Sequence, residues 1–203
     1  MYVVKTPKIL KRTYPKYVWD FPTVDRKIYL TFDDGPTPTV TNWVLDELAK
    51  YRAKATFFCI GKNVIDNPEL FNRINNEGHT IGNHTYSHLN GWENKHITYL
   101  KDVIKCQDVV ESKFFRPPYG KLTRLQINAI SKKYSIVMWD VLSGDFDKTI
   151  TPDHCSQNVL LNTGKGSIVV FHDSLKAEKN LKLALPNLLK HFSELGYDFK
   201  AIQ

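Results

Sequence analysis

Beyond residue 27 the apolar positions switch repeatedly between two periods. Residues 27–32 form a β-branched and aromatic run that predicts a strand. Residues 39–51 place Val40, Trp43, Val44, Leu45 and Leu48 at the spacing of one helix face. The alternation then recurs: short apolar runs at 53–60, 79–83, 113–116, 135–141, 166–171 and 197–202 predict strands. Helical patterns over Pro68–Asn76, 94–111, 122–133, Pro152–Asn162 and 181–196 lie between them, with Gly78 as a stop signal and Pro186 as a kink near the start of the last. Strands alternating with helices at this spacing imply parallel pairing and an α/β architecture. About seven such repeats in one domain favour a closed or nearly closed barrel, whose chemistry collects past the C-terminal ends of its strands.

The first 26 residues break the pattern. They mix lysines with Tyr2, Ile9, Leu10, Tyr14, Tyr17, Val18 and Trp19, and Pro7, Pro15 and Pro22 prevent one long helix. The expected organisation is a basic, aromatic leader over 1–26 packed on a single barrel domain over 27–203. Of the net charge of +7, residues 1–27 hold +5 (seven basic against two acidic), so the body is nearly neutral. No charged face of the body suits nucleic acid, so none is expected as a partner. The leader's lysines and aromatics suit either docking on the body or contact with an anionic surface. With 42% hydrophobic and 24% charged residues, the 203-residue chain is an ordinary globular one, not a disordered one. Three scattered cysteines form neither a disulfide framework nor a zinc ribbon and suit a reducing compartment. Without an apolar signal-peptide core or a spanning run of about 20 apolar residues, a cytoplasmic or inner-membrane-associated monomer is expected.

The strand ends carry the candidate chemistry. The first strand runs into Thr31-Phe32-Asp33-Asp34-Gly35-Pro36. This is a turn sequence by composition, yet one that sets two carboxylates at the barrel mouth, where one can bind a metal and the other act as a base. Asn83-His84-Thr85-Tyr86-Ser87-His88 follows the third strand and also matches a glycosylation sequon. On a helical turn, histidines four apart face the same side. Such a pair is weak alone, but with a neighbouring carboxylate it makes a three-ligand site with positions open to water and substrate. Arg116-Pro117-Pro118-Tyr119-Gly120 reads either as a rigid connector or as a loop offering an oxyanion donor and a guanidinium for a carboxylate. Phe171-His172-Asp173 delivers a histidine at a strand tip, either structural or a general acid.

In this order, the four segments closely resemble motifs of the polysaccharide deacetylases of carbohydrate esterase family four, the NodB-homology domain, over about residues 27–203. The resemblance implies a distorted (β/α)7 barrel and a hydrolase that removes acetyl groups from a glycan containing N-acetylglucosamine, such as chitin or peptidoglycan. It implies a divalent metal, usually zinc with cobalt, nickel or manganese as alternatives, on Asp34, His84 and His88. Carried over, Asp33 is the base, Arg116 its ion-pair partner, the Tyr119 N–H the oxyanion donor and His172 the acid. Pro118, Tyr119, Trp92 and Val170 are the expected substrate contacts, with Val170 at the acetyl methyl and Tyr86 and Trp139 as further aromatics; Trp139 reads as strand-borne and inward.

One motif departs from the family. Where the family's fourth motif reads Asp-Ser-x-Asp-Trp, this chain has Leu142-Ser143-Gly144-Asp145-Phe146. Leu142 accepts no hydrogen bond, so either Asp145, with Asp140 and Asp147 as alternatives, partners His172, or the histidine lacks a carboxylate partner and its pKa falls below the family's. Two other functions remain open: an esterase acting on O-acetylated xylan, and a glycan-binding pseudoenzyme that has lost catalysis through the altered motif.

Overall fold

A computed structural model describes residues 2–203. In chain order the strands are β1 (Tyr17–Val18), β2 (Lys27–Asp33), β3 (Ala55–Cys59), β4 (Thr80–Asn83), β5 (Phe114–Phe115), β6 (Ser135–Val137), β7 (Val141–Leu142), β8 (Ile168–His172) and β9 (Asp198–Phe199). The helices are α1 (Lys8–Thr13), α2 (Pro38–Lys50), α3 (Gly61–Asp66), α4 (Pro68–Asn76), α5 (His96–Gln107), α6 (Arg124–Ile130), α7 (Pro152–Asn162) and α8 (Glu178–Glu194). All strand pairs are parallel, in the order β1-β6-β5-β4-β3-β2-β8-β7, with β9 joining the start of β2. The sheet curls into a half-barrel that stays open between β1 and β7, in keeping with the distorted barrel expected from the sequence. Its centre is β2 between β3 and β8, three strands whose apolar side chains pack with α2 and α8 into the main core. Buried on both faces, these strands read as continuous apolar runs.

The leader covers both open edges. Near one edge, the Leu142 N–H donates to Val4 O and the Thr6 N–H to Asp140 O, each at 2.8 Å, and Lys5 bridges antiparallel to Val141. At the other edge, Tyr17–Val18 is itself the strand, paired to β6, and Trp19 is buried beside Tyr99, Phe115 and Ile136. Lys5 and Lys11 each reach Asp140 at 2.6 Å, and Lys11 also pairs with Asp20, so part of the leader's positive charge is neutralised internally. Among the described residues no helix is long and apolar enough to cross a membrane.

Three local expectations change. The apolar run 135–141 is two strands that pair at opposite ends of the sheet: β6 lies between β1 and β5, whereas β7 pairs with β8. The run's composition hides the crossing. Trp139 lies in the break, outside any strand, and faces the cavity described below rather than sitting inward on a strand. Secondly, α3 is too short to leave a periodic signature. Thirdly, the segment from His84 to His88 is an irregular loop and not a helical turn, with Thr85 and His88 at φ of 63° and 57°.

Candidate active site

The cavity at the C-terminal ends of the strands has a volume of about 440 Å³, and Asp33, Asp34, His84, His88, Tyr119, Trp139, Val170 and His172 are among its lining residues. Asp33 ends β2 and is in register with His172, which ends β8. Two groups far apart in sequence are therefore neighbours in one ladder.

The adjacent carboxylates diverge because the chain turns left-handed at Asp34, where φ is 82°. Such a backbone costs about 1–3 kcal/mol at a non-glycine residue and persists only when its surroundings enforce it. Asp173 supplies much of that enforcement. Its buried carboxylate accepts from the Gly35 N–H at 3.0 Å and the Thr41 hydroxyl at 2.5 Å. A Cβ on Gly35 would sit 1.9 Å from Asp173 Oδ2, so only glycine allows this approach. Burial, opposed by the Thr41 hydrogen bond and reinforced by the nearby Asp34 charge, pushes the Asp173 carboxyl up to about 7.

Asp33 points into a buried ion pair. Arg116, fully enclosed, donates through Nη1 to Asp33 Oδ1 and to Thr31 Oγ1, both at 2.7 Å. Its remaining nitrogens donate to Val137 O at 3.1 Å and Met138 O at 2.7 Å, and its guanidinium lies 4.1 Å from the centre of the Phe58 ring. The carbonyls bordering the β6–β7 break thus hold the arginine that holds Asp33.

Asp34, His84 and His88 offer three ligand atoms within 4.8 Å of one another. Asp34 Oδ1 lies 3.2 Å from His88 Nε2 and 3.7 Å from His84 Nε2. His84 Nδ1 is 2.8 Å from Arg116 O, so it carries the proton and donates, leaving the Nε2 lone pair facing Asp34. Burial holds the His84 imidazole down at about 4, hence neutral and able to ligate at neutral pH. Burial alone would raise the Asp34 carboxyl, but hydrogen bonding to His88 and the charge of His172 hold it well below the usual carboxylate range. One carboxylate and two imidazoles at this spacing fit a divalent metal. The ligand loop is shaped by Asp102 on α5, whose Oδ2 accepts from the Tyr86 and Ser87 N–H groups at 2.9 Å each, and by Asn83 Oδ1, which accepts from Thr85 N–H at 2.9 Å.

On the opposite wall, Asp145 Oδ1 lies 2.7 Å from His172 Nδ1, and Oδ2 accepts the His172 N–H at 2.7 Å. Burial would lower this imidazole, but the Asp145 charge and hydrogen bond outweigh it and hold His172 up at about 9. Asp140 is occupied elsewhere, by Lys5, Lys11 and Ser167. Asp147 accepts from Thr149 at the surface.

Of the expected substrate contacts, Val170 and Tyr119 line the cavity, with the Tyr119 ring edge-on to His88 at 4.9 Å. Pro118 is buried behind it, and its neighbour Pro117 lines the cavity instead. Trp92 borders an adjoining groove, its indole N–H donating to Leu122 O at 3.0 Å. Tyr86 packs on the core under Lys105. Sequence reasoning passed over Asp102, which accepts from backbone N–H groups, and Asp173, which accepts from the Gly35 N–H and the Thr41 hydroxyl. It also missed the lining residues Tyr2, Phe146, Lys121 and Lys176.

The model of the polysaccharide deacetylase family matches residues 21–138. A peptidoglycan-N-acetylglucosamine deacetylase of Bacillus cereus is 38% identical over 168 residues, covering 78% of this chain and 61% of that protein. Chitin deacetylase 2 of Saccharomyces cerevisiae is 34% identical, over 78% of this chain and 53% of its own. The chain thus spans between half and two thirds of these relatives. The crystal structure of a peptidoglycan N-acetylglucosamine deacetylase superposes with a TM-score of 0.88 at 33% identity, covering 97% of this chain and 95% of the other.

Proposed function

The chain belongs to the polysaccharide deacetylase family, and from that premise we propose that it hydrolyses N-acetyl groups on an N-acetylglucosamine-containing glycan. The observation that carries this reading is the convergence on one cavity of a three-donor metal cluster, a carboxylate locked by a buried arginine and a histidine locked by a second carboxylate.

Asp34, His84 and His88 would hold the metal. When bound, a divalent ion there supplies Lewis acidity and acidifies water, towards a pKa of about 7 for zinc. Two imidazoles and a carboxylate are a donor set of catalytic zinc sites, with cobalt, nickel or manganese as alternatives. Asp33 is the base. Arg116 occupies Oδ1, which leaves Oδ2 to take the proton of the attacking water. The Tyr119 N–H is the donor to the oxyanion that develops from the acetyl carbonyl. His172, held by Asp145 through Nδ1, donates its Nε2 proton to the departing amine. Val170 walls the acetyl methyl pocket, with Leu142 and Trp139 nearby. Leu142 thus takes an apolar place where the family's motif has an aspartate.

Acetate release from N-acetylglucosamine oligomers, peptidoglycan fragments and acetylated xylan tests the substrate class. Release from either aminosugar substrate and not from xylan is expected. Release from xylan alone would replace the amidase with an esterase, and tight binding without release would make the chain a pseudoenzyme.

A second expectation concerns Asp145. Because its carboxylate raises His172, the acid form persists to about pH 9 and is lost above it. Asp145→Asn therefore moves the alkaline limb of the kcat profile to lower pH and lowers turnover at pH 8 by about tenfold or more, whereas Asp147→Asn stays within about twofold. Near-wild-type profiles for both would remove Asp145 from the acid's support.

A further inference from the structure

Beside the catalytic cavity runs a second concavity of about 640 Å³. The two share the walls Tyr2, Tyr119, Trp139 and Leu142, so they are continuous. The outer wall of the second is the leader, through Ile9, Leu10, Tyr14 and Tyr17, facing Trp92. Among the described residues no charged side chain is part of its lining. It also gathers much of the exposed apolar surface: Ile9 is 71% exposed, Trp92 65% and Tyr119 62%, with Leu10 and Tyr14 also exposed. Contiguous exposed apolar surface in a groove marks a binding site.

The leader is fixed there. Its Val4–Thr6 hydrogen bonds to β7 and its β1 pairing to β6 hold both ends. Tyr2 is seated against Phe146 at a centroid distance of 5.2 Å, and Phe146 in turn lies edge-on to His172 at 5.1 Å. The fit is close: Gly144 has a φ of 78°, and a Cβ there would lie 2.4 Å from the Tyr2 hydroxyl oxygen. Tyr14 and Tyr17 stack at 5.5 Å with planes 9° apart, giving the outer wall an aromatic platform.

We propose that the leader builds part of the substrate site: together with Trp92 and Tyr119 it forms a groove for the saccharide units adjoining the one that is deacetylated. The inference rests on the reading of the cavity as a glycan deacetylase site. An uncharged, aromatic-lined groove recognises neutral rings that combine an apolar face with hydroxyl edges, because tyrosine and tryptophan offer both kinds of surface. The cation beside it, Lys121, lies over the Trp92 ring with Nζ 5.2 Å from the centroid, and the flat surface of a bilayer does not enter a concave wall. Opening directly onto the catalytic cavity, it leads where a polymer would run.

The test compares kcat/KM on the dimer and pentamer of N-acetylglucosamine for the wild type, Tyr14→Ala and Trp92→Ala, with thermal melts to show that each variant folds. The wild type should prefer the pentamer, and each variant should lose about tenfold of that preference, in KM more than kcat. A folded variant with the wild-type preference, or a wild type with no preference, overturns the proposal. Tryptophan fluorescence titration with the same oligomers, in the metal-loaded Asp33→Asn protein, separates this inference from the catalytic one. If no oligomer yields acetate, length-dependent binding lost on Tyr14→Ala still supports the groove, and its absence rejects it. Tyr14-dependent binding to phosphatidylglycerol vesicles with no oligomer-length effect would assign the surface to a bilayer and also reject it.

Discussion

Asp33→Asn lowers kcat for acetate release by about 10²–10⁴-fold, the range that a positioned general base contributes. The amide keeps an oxygen for the Arg116 Nη1 hydrogen bond, so the side chain stays in place, but it no longer accepts a proton from water. The change also leaves a fully buried guanidinium without its counter-charge. Removing one partner of a buried pair is strongly destabilising. Here Thr31 Oγ1 and the Val137 and Met138 carbonyls still accept from Arg116, which limits the cost to about 1–3 kcal/mol. Denaturant unfolding should therefore show a cooperative fold with a lowered midpoint, and turnover should be measured where that fold is fully populated. A folded Asp33→Asn protein with wild-type kcat would move the base elsewhere.

The second large effect is expected at the metal ligands. His84→Ala removes the donor whose tautomer is fixed by Arg116 O, and the remaining Asp34 and His88 hold a divalent ion poorly. Metal content should fall well below one equivalent, and kcat/KM by at least about 10³-fold, since a Lewis acid supplies several kcal/mol at 1.36 kcal/mol per decade. Elemental analysis of the purified protein and its turnover should fall together. A His84→Ala protein that keeps a full equivalent and its rate would break the ligand assignment. Because the imidazole is buried and neutral, its loss also leaves a void, so the variant's melting temperature should be measured alongside.

Much of the architecture was legible because its signals are local. The helices Pro68–Asn76 and Pro152–Asn162 begin where a proline occupies the first turn, and their ends match the expected residues. The parallel sheet followed from alternation alone. The break in 135–141 was not legible, because each half is apolar for a different neighbour at a different end of the sheet. The same limit applies at the site. Asp33, Asp34, His84, His88 and His172 stand at strand ends in recognisable motifs, and the cavity brings them together. Asp102 and Asp173 act on backbone N–H groups across the fold, which no spacing in the chain announces. Tyr2 reaches the cavity because the leader covers β7, a contact about 140 residues long in sequence that only the assembled sheet creates. The pairing of His172 with Asp145 was within reach because the departure at Leu142 left few carboxylates nearby.

The most direct test strips the protein with a chelator, confirms the loss by elemental analysis, and follows acetate release from N-acetylglucosamine oligomers before and after one equivalent of zinc is returned. The account predicts that release stops on stripping and recovers with zinc in the wild type, while Asp33→Asn stays slow in both states. Undiminished release from verified metal-free protein, or none from any acetylated glycan with the site filled, would contradict it.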